Sequence, residues 1–411
     1  MLILKNSITD KMRLFYNLLI NLLITSIKIG SFFNKKMKIH NASQLGLIKR
    51  ISEITKNYKN IVWFHVASMG EFEQAKPLLI NYKKKYLHHK ILLTVFSPSA
   101  FEIIKTTNLA KWTFILPFDT KNNAQKFIDN VRPIKAIFIK YEFWYNYLNK
   151  LVDNQIPIYY ISAIFRKNQY FFKFYGKWFA KQLQKINFIY VQNEESKSLL
   201  KSIGINKVEV VGDTRVDSVQ LNLKTSYSNR IIESFAANKQ VLIAGSIYKN
   251  DLKILIEIIK SNLDFLLIIV PHTLVNIDYY EKKINDSVTL SRVNEKTVKN
   301  YRVLIIDQIG ILSKIYRFGN IAYIGGGFNN GIHNILEPIV YKIPVIFGPN
   351  YHKFQEAIDL IRLGIAASIS HHEDSILSMK KLNNKHEEVK IAINKYIQNY
   401  QGATNKIIKK I

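Results

Sequence analysis

The sequence predicts an α/β protein made of two successive parallel-sheet domains, and three observations carry that prediction. The chain has 411 residues, too many for one ordinary core and enough for two domains of roughly 150–200 residues. From residue 61 onward, short apolar runs alternate with helical stretches, the pattern of repeated βα units. That order lapses once, around residues 218–238, where Leu221-Asn222-Leu223-Lys224-Thr225-Ser226-Tyr227-Ser228-Asn229 reads as a linker. An apolar content of 48% with 12% aromatics supplies folded cores and excludes wholesale disorder.

The first element is an apolar stretch at 14–27, interrupted by Asn17 and Asn21 and followed by Lys28. It falls short of the ~20 apolar residues that span a bilayer comfortably. No small-residue cleavage site follows it. Lys5, Lys11, Arg13, Lys28, Lys35, Lys36 and Lys38 flank it, which suits an interfacial or shallow membrane anchor over residues 1–38. A helix buried against a domain is the alternative.

Residues 39–220 form the first predicted domain, with strands at 61–66, 91–96, 111–116, 136–139, 156–161 and 188–192. Helices are expected between them at 71–86, 98–106, 120–131, 144–154 and 172–185. Residues 221–411 form the second, with strands at 241–244, 265–270, 302–306, 321–324 and 345–347 and a basic, partly amphipathic helical tail from 375.

The chain carries 59 Lys and Arg against 30 Asp and Glu, a net charge of +29. Such an excess draws a protein to polyanions. No zinc-finger spacing, helix-turn-helix signature or RNA-recognition aromatic motif favours nucleic acid, so an anionic membrane surface is the preferred partner. With no cysteine, the chain has no disulfide, thiolate zinc site or cysteine nucleophile.

Ligands of parallel sheets bind beyond the carboxyl ends of the strands, so the loops there are where chemistry is expected. After the first strand, His65, Ser68 and Glu71 stand on one loop. Glu71 reads either as a first-turn cap of the next helix or as a general base toward a sugar hydroxyl. Glu142, in Tyr141-Glu142-Phe143-Trp144-Tyr145-Asn146, adds a second carboxylate on the same rim. Arg215, in Gly212-Asp213-Thr214-Arg215, either grips a phosphate or pairs with an aspartate at the hinge.

In the second domain, the Gly245-Ser246 turn with Lys249 offers backbone, hydroxyl and ammonium donors, and Pro271-His272 ends the next strand. Gly325-Gly326-Gly327 closes a short buried strand. With no Cβ in the way, it is expected to let a phosphate approach the backbone, before a helix carrying His333, Asn334 and Glu337. No Asp-x-Asp pair, Walker lysine motif or nucleophile elbow is present, and His371-His372-Glu373-Asp374 reads as a solvated loop rather than a metal site.

Taken in order, these pieces closely resemble the Kdo (3-deoxy-D-manno-octulosonic acid) transferases of Gram-negative bacteria, over residues 61–365. The resemblance rests on His65-Val66-Ala67-Ser68-Met69-Gly70-Glu71, Glu142-Phe143-Trp144, Gly212-Asp213-Thr214-Arg215, Ala244-Gly245-Ser246, and Gly325-Gly326-Gly327 through Leu336-Glu337-Pro338. It implies a GT-B glycosyltransferase: two Rossmann-like domains facing a central cleft, with an N-terminal membrane-anchoring helix at the cytoplasmic face of the inner membrane. The implied reaction is inverting, metal-independent transfer of Kdo from CMP-Kdo to a lipid A precursor, with no cofactor. Glu71 maps onto the family's catalytic base and Glu142 onto its second essential acid. Gly245, Ser246, Pro271, His272, Gly325, Gly326, Gly327, Asn334 and Glu337 map onto its CMP-binding elements.

Two departures stand out. Lys140 and Tyr145 replace an acid and a proline common in the family, and no arginine separates Pro271 from His272. A GT-B enzyme using another nucleotide sugar, such as a UDP-sugar, is the nearer alternative. A non-catalytic basic binding protein leaves the carboxylates and glycine turns at successive strand ends unexplained.

Overall fold

The computed structural model describes residues 2–140, 142–223, 226–261, 264–275 and 277–411. Tyr141 of the second-acid motif and residues 224 and 225 of the expected linker lie outside the described residues. The chain divides into two compact units, residues 1–218 with 400–411, and residues 219–399.

Unit 1 is built on seven strands: β1 (Ile61–Val66), β2 (Lys90–Val95), β3 (Trp112–Ile115), β4 (Lys135–Ile139), β5 (Ile158–Ala163), β6 (Phe188–Val191) and β7 (Val208–Val210). They form one parallel sheet in the order β3-β2-β1-β4-β5-β6-β7. Every residue of β1 is buried, as expected of a central strand covered by helices on both faces. Trp63 packs edge-on against Phe138, with Phe127 and Tyr147 alongside it on one face. On the other face, Phe64, Phe72, Leu78 and Tyr82 join residues from the far end of the chain, Ala403, Ile407 and Ile411.

That far end corrects the predicted boundary of 221–411, because residues 400–411 belong to unit 1. The physical reason is specific docking. Asp217 accepts from the backbone N–H groups of Gly402 and Thr404, each at 2.7 Å, and the Tyr86 hydroxyl donates to Ile411 O at 2.9 Å.

Unit 2 has its own seven strands: β8 (Gln240–Ile247), β9 (Phe265–Pro271), β10 (Ser287–Thr289), β11 (Val303–Ile305), β12 (Ile321–Ile324), β13 (Val345–Phe347) and β14 (Ala366–Ser368). These too are all parallel, in the order β10-β11-β9-β8-β12-β13-β14. The expected linker is largely helical, with helices at Thr214–Leu223 and Arg230–Ala236; Asn229 caps the second by accepting from Ile231 N and Ile232 N.

The N-terminal apolar stretch is part of one long helix, Leu2–Gly30. Its Lys11–Gly30 portion is long and apolar enough to cross a membrane by length and composition. Ile20 and Ile27 are nevertheless buried inside unit 1, while Leu14, Phe15, Leu18, Leu19 and Leu22 stand about half exposed or more on the other side. One helix thus has an inner apolar stripe that docks and an outer apolar stripe that does not.

Candidate active site

In unit 1 the chain runs outward from β1 through β2 to β3, then returns to lay β4 on the opposite side of β1. The loops after β1 and β4 therefore diverge at a topological switch point, where an open parallel sheet leaves a crevice. Glu71 and Glu142 follow those two strands. Ser68 caps the helix Met69–Lys85, its Oγ accepting from Glu71 N at 3.4 Å, and Glu71 Oε2 accepts from Ala67 N at 2.5 Å. The capping role is therefore present, but it does not exhaust the residue. Glu71 is 8% exposed, and its carboxyl is raised to about 7, first by burial and then by the charge of Glu142, against the Ala67 N–H and Lys140. A carboxyl titrating there suits proton abstraction near neutral pH.

Glu142 lies in the segment leading into the helix Tyr145–Asp153, its Oε2 3.6 Å from His65 Nε2. The Trp144 indole donates to that same Nε2 at 3.2 Å, and His65 Nδ1 lies 2.8 Å from Thr94 Oγ1. An indole N–H only donates, so Nε2 accepts and the imidazole proton sits on Nδ1, facing Thr94. The sequence reading placed His65 on the ligand-facing loop; it is wholly buried within β1 and holds Trp144 instead.

Arg215 lies in unit 1, at the start of the helix Thr214–Leu223. Its Nε and Nη2 reach Asp213 Oδ2 at 2.7 and 2.6 Å, and its backbone N–H donates to Asp213 Oδ1 at 2.9 Å. Gln74, one turn beyond Glu71, also donates to Asp213 Oδ1 at 3.3 Å. Burial works to raise Asp213, but the Arg215 guanidinium outweighs it and holds the carboxyl below its ordinary value. The Arg–Asp pairing is the arrangement present.

Unit 2 has its switch point between β8 and β12, and the remaining candidates gather on the loops around it. The pairing of β8 with β9 slips between Gly245 and Ile247, and Ser246 takes a left-handed φ of 55° at that bulge. Tyr248, His272 and His333 then come together from the loops after β8, β9 and β12, with ring centroids 4.7 Å apart for Tyr248–His272 and 4.6 Å for the stacked pair His272–His333. His333 Nε2 is 3.2 Å from the Tyr248 hydroxyl. Burial, and after it His272, lowers His333 to about 4, so the ring is neutral at physiological pH. Lys249 is exposed, with its Nζ 4.7 Å above the Tyr279 ring. Pro271 is buried at the end of β9, and His272 N donates to Ile247 O at 2.9 Å.

Two expectations about the glycine loop change. The residues after it form no helix until Leu336–Val340, so His333 and Asn334 are loop residues and only Glu337 is helical. Gly331 at φ 139° and Pro338, tolerated only in a first turn, account for the late start. Asn334 bridges the two parts, donating to Glu337 Oε1 at 3.2 Å and accepting from Leu336 N at 3.1 Å.

The room left by the missing Cβ atoms is filled by the chain itself. A Cβ on Gly325 would lie 2.3 Å from Ser246 O, one on Gly326 2.4 Å from Gly331 O, and one on Gly327 2.5 Å from Gly348 N. The three glycines are buried, and the N–H groups of Gly325 and Gly326 bond to Gly245 O and Asp251 Oδ2. Their observed work is to let the ends of β12 and β8 and the Gly348 turn approach one another.

Asp251 is the residue that sequence reasoning missed. Wholly buried, it accepts from Tyr323 Oη at 2.6 Å, Tyr248 N at 2.8 Å and Gly326 N at 3.2 Å, joining both loops of the switch point. Its signal was an acid four residues past a strand end and just before the largely apolar stretch Leu252–Ile258, hidden because the cap position, three residues earlier, holds a tyrosine.

Residues 40–218, which hold both Glu71 and Glu142, match the family model of 3-deoxy-D-manno-octulosonic-acid transferases (Kdo transferases). Over that stretch the chain is similar to the Kdo transferases. Like them, it is a glycosyltransferase. The Kdo transferase of Aquifex aeolicus is 29% identical over 357 residues, covering 85% of this chain and 94% of that one. That of Rickettsia felis is 28% identical, over 79% of this chain and 72% of its own. Among solved structures, the UDP-GlcNAc 2-epimerase of Neisseria meningitidis superposes with a TM-score of 0.61 at 17% identity, covering 85% of this chain and 98% of that one. MurG of Acinetobacter baumannii gives 0.53 at 13%, with 85% and 98% covered. Likeness at that level speaks to fold alone, and this chain shares the two-domain α/β fold of the GT-B type.

Proposed function

We propose that this enzyme transfers Kdo from CMP-Kdo to a sugar hydroxyl of a lipid A precursor in lipopolysaccharide inner-core synthesis, by one in-line displacement that inverts the anomeric centre and uses no metal. The observation that carries the reading is the Glu71–Glu142 pair at the switch point of unit 1, with Glu71 raised to about 7. Ionised Glu71 takes the proton of the acceptor hydroxyl as its oxygen bonds to the Kdo anomeric carbon, while the bond to the CMP phosphate breaks and CMP leaves with the electron pair. Glu142 keeps a second negative charge beside Glu71 and sustains its basicity.

In unit 2, Ser246, Lys249, His272, Asn334 and Glu337, with Tyr248 and His333, would hold the nucleotide, and the amino end of the helix Lys249–Lys260 would face its phosphate. Among the described residues no group of three or more His, Cys, Asp or Glu is arranged to hold a metal ion. The outer stripe of the N-terminal helix, with Phe32 and Phe33 85% and 88% exposed just beyond it, would seat the enzyme on an anionic inner-membrane surface at its cytoplasmic face.

Incubation with CMP-Kdo, a lipid A precursor and EDTA should yield a product heavier by one or more Kdo residues in mass spectrometry. A melting shift larger with UDP than with CMP, or a product only when a divalent cation is added, would overturn the donor or the metal-free part of the reading.

A further inference from the structure

The two asparagines that interrupt the N-terminal apolar run have different fates. Asn21 is exposed, but Asn17 accepts from Asn146 Nδ2 at 3.0 Å. Beside it, the Tyr16 hydroxyl donates to Asp119 Oδ2 at 2.6 Å and accepts from Tyr145 N at 3.2 Å. Asp119 is 1% exposed and also accepts from Asn146 N at 3.1 Å and Tyr147 N at 2.9 Å. The helix Tyr145–Asp153 has Trp144 at its cap position, whose side chain makes no capping bond. Its first three N–H groups are therefore satisfied from outside, by one buried carboxylate and one hydroxyl of the N-terminal helix.

The residues that lead into this helix are Glu142, Phe143 and Trp144. Trp144 is tied to His65 on one side, and Glu142 lies 3.6 Å from the same imidazole. The segment carrying Glu142 is thus pinned at its far end by Tyr16 and Asp119. A fully buried carboxylate is stable only while its donors remain in place, so losing the Tyr16 hydroxyl loosens the whole cap.

We propose that Tyr16 and Asp119 are positioning residues for Glu142, so that the seating of the N-terminal helix sets the geometry of the catalytic loop as well as attaching the enzyme. This rests on the role given to Glu142 above, and the test separates the two. The full chain contains four tryptophans. Labelled with 5-fluorotryptophan, it gives four fluorine signals, and the Trp144 signal is identified by its loss in Trp144→Phe.

Tyr16→Phe keeps the ring and removes only the hydroxyl. It should move or broaden the Trp144 signal while the other three mark an intact fold, and should lower kcat about tenfold with the KM for CMP-Kdo unchanged. Asn17→Leu should do the same more weakly. Vesicles of phosphatidylethanolamine and phosphatidylglycerol should move the Trp144 signal of the wild type and leave that of Tyr16→Phe where it is. An unchanged Trp144 signal and unchanged kcat in Tyr16→Phe would overturn the proposal and leave the transfer reaction untouched. A wild type that transfers no Kdo would overturn the reaction, while the fluorine signals would still report whether the helix and the loop are coupled.

Discussion

Glu71 and Asp251 occupy the same place in the two units. Each is the third residue of the helix that follows the first strand of its sheet, each reaches back to a backbone N–H before that helix, and burial raises the carboxyl of both. Their surroundings then differ. Asp251 is closed in by a tyrosine hydroxyl and two backbone donors, whereas Glu71 is met only by the backbone donors of Ala67 and Ser68 and faces the charge of Glu142. A position that every βα unit offers is locked into the fold when its donors are complete, and its carboxyl is pushed toward neutral pH when they are fewer and a like charge stands nearby.

The comparison breaks most visibly in rate. Glu71→Gln should lower turnover about 10²–10⁴-fold, with CMP affinity by calorimetry unchanged. It should not lower stability at pH 8. The folded state holds the Glu71 proton more tightly than the ordinary value of 4.5, so this contribution to stability is full below 4.5 and lost as pH rises through about 7. The reverse holds in unit 2. Asp251→Ala should destabilise that unit by about 3 kcal/mol, because three buried donors lose their acceptor, and hydrogen exchange at the ends of β8 and β12 should report it. The smallest effect sharpens the contrast: Glu142→Gln should lower kcat at least about tenfold, as displacing the residue does, and because it removes a charge that raises Glu71 the acid limb of the kcat/KM profile should move to lower pH.

The long parallel strands were legible because buried central strands read as unbroken apolar runs; the predicted strand at 61–66 coincides with β1. The strands that escaped notice, β7, β10 and β14, are as short as β11 and β13 but lie at sheet edges and carry Glu209, Ser287 and Ser368 where those two are wholly apolar. Glu71 and Glu142 were legible as carboxylates at strand ends. Their common rim was expected too, but not that β4 pairs directly with β1 across about 70 intervening residues to put both beside one switch point. The glycine loop shows the opposite case. Its sequence told correctly that something comes close to the backbone, but local composition does not say that the neighbour is the chain's own Ser246, Gly331 and Gly348.

The docking of residues 400–411 on unit 1 has a consequence for how the molecule is made. Topologically, residues 219–399 are an insertion within unit 1, whose core is assembled from both ends of the chain. On the ribosome, unit 2 has all its own residues before unit 1 does, although unit 1 is synthesised first. Until the last stretch emerges, the helix Met69–Lys85 waits with the surface meant for Ala403, Ile407 and Ile411 exposed to water. The half that carries Glu71 and Glu142 is therefore the half completed last.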